Sequence, residues 1–344
     1  MSVEASIDFG ARLNTWASET FGANSRVADV GSLGGHSGIT IGFDVLDGTK
    51  VHQRLVLKMP PPGVARRNNF DVLRQVPLLQ ALEANNIPAP RACYWSDDES
   101  IFEAPYLMMS RLAGGSPPDL FRDDAKRGLP NATGMFSQAV DVLGRMHAID
   151  VSKAFDGWDG HRHVDDEIEH WAKIFHKAQN PDWVRQGHAL RDLLIETQPA
   201  HIPHGLTHGD YYSNNWVFDG ERLSGVVDWE GATIGPSLLD VGWLYMIYDR
   251  DSWGPSRHRH MGWQPRPETL VARYIETVPR LAHGSLEDLG WYRALATYRI
   301  ASITAYYFEE HRSGRRPNEA WEMFGEAFPH MIGNARRLLL LRRH

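Results

Sequence analysis

Cysteine is almost absent from this 344-residue chain: Cys93 stands alone, so no internal disulfide can form. It lies in an apolar stretch, which suits a small buried hydrophobe in a reducing compartment better than a reactive thiol. No run approaches the roughly 20 apolar residues of a membrane-spanning helix. The first residues, Met1 to Asp8, carry acids and no basic segment, so they do not read as a secretory signal. The Walker pattern and Gly-x-Gly-x-x-Gly are both missing, which argues against a P-loop ATPase and a dinucleotide-binding dehydrogenase. The formal net charge is −7, which gives no overall pull toward nucleic acid or an anionic membrane. A cytoplasmic protein with neither kind of partner is expected.

What is present is a chain of ordinary globular composition, 42% hydrophobic and 23% charged. Its length suits two domains or one domain of two lobes. Residues 6–20 read as a short helix. Val27–Leu33, Ile39–Leu46 and Gln53–Met59 read as strands, with a glycine-rich turn from Gly34 to Gly38 and a hairpin signal at Asp47-Gly48. Pro60 to Pro62 end the third strand. A helix is expected over 71–84, with Pro77 kinking it or marking its true start. Two more strands follow, 91–95 and 106–111. Gly114-Gly115-Ser116-Pro117-Pro118 is the best linker candidate. Beyond it the pattern is mainly helical, with helices over 136–147, 291–308 and 321–341, and one hairpin of strands 216–218 and 223–227.

The chemistry concentrates in His208-Gly209-Asp210-Tyr211-Tyr212-Ser213-Asn214-Asn215 and in Asp228-Trp229-Glu230. Asp219-Gly220 is a turn signal between them. If the flanking strands pair, Asn215 and Asp228 meet at the open end of the hairpin. An amide oxygen and a carboxylate suit Mg²⁺, a hard ion that shares oxygen ligands with phosphates. Asp210, on the loop entering the hairpin, can accept a proton from an attacking hydroxyl. Phosphoryl transfer asks little more of a protein.

His-Gly-Asp, an asparagine five positions on and Asp-Trp-Glu after a hairpin resemble the aminoglycoside phosphotransferase family, which includes choline-kinase-like enzymes and is similar in fold to protein kinases. The resemblance implies an α+β, two-lobed kinase-like fold: a small antiparallel sheet lobe, 1–112, that binds nucleotide, and a larger helical lobe, 113–344, for catalysis and acceptor binding. It implies an ATP- and Mg²⁺-dependent enzyme with Asp210 as catalytic base and Asn215 and Asp228 as metal ligands. Gly34-Gly35-His36-Ser37 is placed like the phosphate-covering loop. Lys58, closing an apolar strand, would reach the α- and β-phosphates. Met109, Ser110 and Arg111 resemble the segment whose backbone holds adenine. Asp240 would brace the catalytic loop, and His147 reads as structural.

Three departures matter. Gln75 falls where the family places a glutamate partner for the strand lysine; Asp71, one turn earlier, is the alternative. Tyr211-Tyr212-Ser213-Asn214 replaces the usual Leu-His-Pro-Gly, so the tyrosines either line the acceptor pocket or pack under the loop. Glu230 helps bind metal or acceptor, or faces solvent. Arginine outnumbers acids after Asp240, and aromatics such as Trp243, Tyr245, Tyr248, Trp253 and Trp263 could line a pocket. The acceptor is therefore expected to be a small-molecule alcohol other than a polycationic aminoglycoside. Competing readings are an inactive nucleotide-binding protein of the same fold and a metal-dependent phosphoesterase. The histidine groups at 161/163, 201/204/208 and 258/260 are expected to be loop residues.

Overall fold

The computed structural model describes residues 8–34, 38–60, 71–118, 129–255, 262–278 and 287–343. The chain divides into two compact units. The smaller is Met1–Ala113 with Ser224–Glu230; the larger is Gly114–Leu223 with Gly231–His344. A single cut after residue 112 does not describe this division, because a second segment returns to the smaller unit. Within that unit Val226 N donates to Pro88 O at 2.9 Å, which ties the segment in.

In the smaller unit five strands form one sheet: β1 (Ser25–Ser32), β2 (Ile39–Asp47), β3 (Lys50–Met59), β4 (Ala92–Ser96) and β5 (Tyr106–Ser110), in the order β1-β2-β3-β5-β4. All neighbours are antiparallel. Gly48, at φ 60°, opens the two-residue loop between paired Asp47 and Lys50. Strand side chains alternate between faces, so Ile39, Ile41, Phe43, Val45, Leu55, Leu57 and Met59 share one face, and all are buried. Helix α1 (Phe9–Phe21) covers it with Phe9, Leu13, Trp16 and Ala17, and Asp8 caps its start by accepting from Ala11 N at 3.0 Å. Trp16 meets Phe43 and Tyr94 edge-on at 6.0 and 5.2 Å. Each such contact adds roughly 0.5–1.5 kcal/mol to the area buried. The same alternation turns Lys58 to the opposite face. A 3₁₀ turn, Val72–Arg74, runs into α2 (Gln75–Ala84). Pro77 sits in the first turn of α2, where a missing N–H costs nothing, so it marks the start rather than a kink.

The larger unit is mainly helical: α3 (Ala132–His147), α4 (Val151–Ala154), α5 (Val164–Phe175), α6 (Pro181–Glu196), α7 (Leu238–Tyr248), α8 (Arg250–Trp253), α9 (Pro267–Thr277), α10 (Leu289–Arg312) and α11 (Ala320–Leu340). Helix α7 is buried nearly all round. At Gly242 an added Cβ would stand 2.5 Å from the Tyr292 carbonyl, so only glycine lets α7 approach α10 this closely. β7 (Trp216–Asp219) and β8 (Arg222–Val226) form the expected hairpin, and the chain leaves the larger unit within β8, after Leu223. A second pair was not legible in the sequence. β6 (His204–Thr207) pairs antiparallel with β9 (Thr233–Pro236), from His204 opposite Pro236 to Thr207 opposite Thr233. That pairing brings the start of the segment after β6 beside the start of α7. None of the described helices is long and apolar enough to cross a membrane.

Candidate active site

The loop after β6 is held by its backbone. Asp240, in the first turn of α7 and fully buried, accepts from His208 N at 2.6 Å and from Gly209 N at 2.8 Å. His147 Nε2 lies 3.6 Å from the same carboxylate, and its Nδ1 is 2.7 Å from the Tyr274 hydroxyl. His147 and Asp240 are thus structural braces, as their positions in the sequence suggested. Gly209 takes φ 85°, and a Cβ there would lie 2.8 Å from Gly231 O, so this turn requires glycine. It delivers Asp210, whose N–H donates to His208 Nδ1 at 3.2 Å.

Asn215 ends a 3₁₀ turn, Ser213–Asn215. Its Nδ2 donates to Asp210 O at 2.8 Å and to Asp210 Oδ2 at 3.0 Å. Those bonds use the amide nitrogen and leave Oδ1 as a possible metal ligand. Two of the intervening residues, Tyr211 and Ser213, are buried. Tyr211 is fully buried and donates its hydroxyl to Ala139 O at 2.7 Å, and Ser213 N donates to the Tyr248 hydroxyl at 3.0 Å. Tyr211 therefore does not line an acceptor pocket. Trp243, Tyr248 and Trp253 are likewise buried.

Burial raises the Asp210 carboxyl from 3.8 to about 6, although Arg299 first, and then Asn215, favour the charged form. A carboxylate with a pKa near 6 is a better proton acceptor than an ordinary one and is still ionised at neutral pH. Arg299, on α10, carried no signal in the sequence. Its Nη1 and Nη2 lie 3.3 and 3.4 Å from where a Gly209 Cβ would be.

In the smaller unit Lys58 Nζ is 2.5 Å from Glu230 Oε1 and 3.6 Å from Asp228 Oδ1. Neither residue offered as its partner serves. Gln75 is buried with Nε2 lacking a partner among the described residues, and Asp71 caps the 3₁₀ turn at Leu73 N. Glu230 is therefore neither solvent-facing nor spare. Burial raises its pKa, opposed by Lys58 and reinforced by Asp228. Asp228 takes φ 66°, a left-handed conformation that aspartate tolerates better than most residues, and its side chain is 46% exposed. Its oxygens, like Asn215 Oδ1, are hard donors of the kind Mg²⁺ takes.

Other expectations divide. Gly34 is exposed at φ 76°, while Gly35 and Ser37 lie outside the described residues. Met109 sits on β5 opposite Val56 and Ala92. Ser110 N donates to Arg91 O and Arg111 N to Arg54 O, both at 2.9 Å, so those amides are engaged in the sheet and cannot also hold adenine. Cys93 is half-buried, and burial pushes its thiol pKa up, away from reactivity. Among the described residues no three His, Cys, Asp or Glu side chains gather to hold a metal; His258 and His260 lie outside them.

The chain matches the phosphotransferase enzyme family, APH, over residues 43–299. It is 24% identical over 281 residues to human acyl-CoA dehydrogenase family member 11, covering 78% of this chain and 35% of that protein. The chain thus spans about a third of the length of the curated relatives first matched. Among solved structures, a Ralstonia eutropha JMP134 protein assigned to the aminoglycoside phosphotransferases superposes with a TM-score of 0.71 at 19% identity, over 95% of this chain and 97% of the other. A thermostable aminoglycoside phosphotransferase APH(4)-Ia variant, in complex with AMP-PNP and hygromycin B, gives 0.59 at 16% identity, over 95% and 97%. These likenesses show the kinase-like fold expected from the motifs. With three quarters of its length inside the family match, the chain belongs to the phosphotransferase enzyme family.

Proposed function

We propose that this protein moves the γ-phosphoryl group of ATP to a hydroxyl of a small molecule. The observation that carries the reading is Asp210: a carboxyl raised to about 6, set on a loop gripped by Asp240 and oriented by Asn215. Asp210 takes the proton of the attacking hydroxyl as its oxygen bonds to the γ-phosphorus. The bond from that phosphorus to the bridging oxygen breaks, and ADP leaves. The smaller unit would hold the nucleotide, with Lys58 at the phosphates, Gly34, Gly35 and Ser37 covering them, and Met109 near the adenine. Ser110 and Arg111 would contribute side chains rather than amides. Asn215 and Asp228 would hold Mg²⁺, which when bound neutralises phosphate charge.

The APH(4)-Ia complex, with a nucleotide analogue and hygromycin B bound, supports ATP and a hydroxylated acceptor. Lys58 has a carboxylate partner in Glu230, which removes the main reason for reading the protein as an inactive nucleotide binder. Release of ADP in the presence of a turned-over acceptor tests the proposal. Asp210→Ala should lower that turnover about 10²–10⁴-fold while ATP still binds. Undiminished turnover in that variant would overturn the assignment of the base.

A further inference from the structure

We propose that Arg299 is the anion-binding residue of the acceptor site, so that the hydroxyl phosphorylated belongs to a molecule carrying a carboxylate or phosphate. This rests on the reading of Asp210 as the base. All the groups involved belong to the larger unit.

The first argument is position. The guanidinium lies against Gly209, the residue before Asp210, with both Nη atoms within 3.4 Å of the place a Cβ would take. An acceptor with its hydroxyl at Asp210 would lie beside this cation. The second is partnership. The Arg299 guanidinium lies over two indoles, 4.8 Å from the Trp171 ring and 5.1 Å from the Trp243 ring. Its nearest acid, Glu167 Oε1, is 3.9 Å away. The Glu167 oxygens are already taken, Oε2 by Arg162 at 2.9 Å and Oε1 by Trp171 Nε1 at 2.6 Å. The buried Arg299 Nε has no hydrogen-bond partner among the described residues, and the side chain keeps 14% exposure. A planar fork of donors, fixed by two indoles and left open, matches a carboxylate or phosphate.

The third argument is charge. Arg162 and Arg299 share the one carboxylate of Glu167, so Arg299 has no acid to itself within 4 Å among the described residues. Asp240 is engaged by two backbone amides. Asp210 is the remaining acid, and it is the group that must face the hydroxyl. A polycationic acceptor would place ammonium groups against Arg299; an anionic one pairs with it.

Equilibrium binding tests this without depending on turnover. The intact protein and its Arg299→Met and Arg299→Lys variants are titrated, by intrinsic tryptophan fluorescence and calorimetry, with a chain-length series of ω-hydroxy carboxylates, the matching hydroxyalkyl phosphates, neutral hydroxy methyl esters, and kanamycin. At least one anionic series should bind the wild type and weaken tenfold or more in Arg299→Met, less in Arg299→Lys, with ATP affinity unchanged. Whichever anionic arm binds identifies carboxylate or phosphate. Neutral esters or kanamycin binding more tightly than every anion would overturn the proposal. So would anions that bind the variants and wild type alike, or bind none of them. If Arg299 only keeps Asp210 ionised, Arg299→Met raises the pH at which turnover is half lost and leaves anion affinity intact, which also overturns it. Arg299-dependent anion binding without any phosphoryl transfer would instead sink the catalytic reading and leave the anion site standing.

Discussion

Lys58 and Glu230 form a nearly buried ion pair, Nζ to Oε1 at 2.5 Å, with side chains 9% and 11% exposed. A residue two positions after Asp228 thus supplies the acid that the family places on the first long helix of the sheet lobe. Replacing Glu230 by Gln leaves a buried ammonium with only Asp228 at 3.6 Å. Breaking one side of such a pair costs about 3–5 kcal/mol. Glu230→Gln should lower the melting temperature and reduce kcat/KM for ATP by at least about tenfold, measured by calorimetry and steady-state kinetics. The KM for the acceptor should stay unchanged.

Gln75 offers the converse test. It is buried with an amide nitrogen that lacks a partner among the described residues. A group in that state loses its hydration without recompense, so an apolar side chain of similar size is neutral or better. Gln75→Leu should keep kcat within about twofold and change stability by no more than about 1 kcal/mol, in the stabilising direction. A large loss of ATP turnover would mean that Gln75, after all, positions Lys58.

Asp240 carries two charge-assisted bonds to the loop that bears Asp210. Each such bond is worth roughly 1.5–3 kcal/mol. Asp240→Asn keeps one acceptor and turns an N–H toward a backbone N–H. Loss of about 2–4 kcal/mol in urea unfolding should accompany a fall in kcat of at least about tenfold if Asp210 is the base, because Asp210 is no longer held in place.

Acid stability should report Glu167. Burial alone would raise its pKa, but Arg299 and Arg162, with the Trp171 and Arg162 hydrogen bonds, together hold it below the ordinary 4.5. A depressed folded pKa contributes stability that is fully present above about 4.5 and is lost as pH falls through the folded value. Glu167→Gln should therefore unfold at lower urea at pH 7, by about 2–4 kcal/mol, with the gap between the two proteins narrowing as pH falls from about 4.5 through the folded value.

The parts of this fold legible in the sequence were those signalled by short-range pattern. Alternation gave the strands flanking Asp47-Gly48, and the spacing from Asp210 through Asn215 to Asp240 marked the loop and its brace. What escaped notice depends on long-range pairing. β6 and β9 have four residues each, too few to show a period, and exist because His204 and Pro236 meet across the intervening loop. Arg299 lies on a helix whose residues are buried on several sides, so no one face stood out, and only tertiary packing sets it against Gly209. Alignment with the family puts Gln75 where a glutamate partner for Lys58 would stand, with Asp71 as the alternative, and neither position shows that the acid comes from Glu230. Sheet register, invisible in a single sequence, decided that Ser110 and Arg111 had no amides to spare.

The return of residues 224–230 to the smaller unit sets a constraint on synthesis. A ribosome releases α1 and all five strands of the sheet long before it delivers Glu230, so Lys58 must wait, uncompensated, while more than a hundred further residues emerge. A truncated protein ending at the linker would lack both Asp228 and Glu230. The smaller unit is complete only as a discontinuous piece of chain, and any attempt to express it alone must graft that seven-residue segment back on.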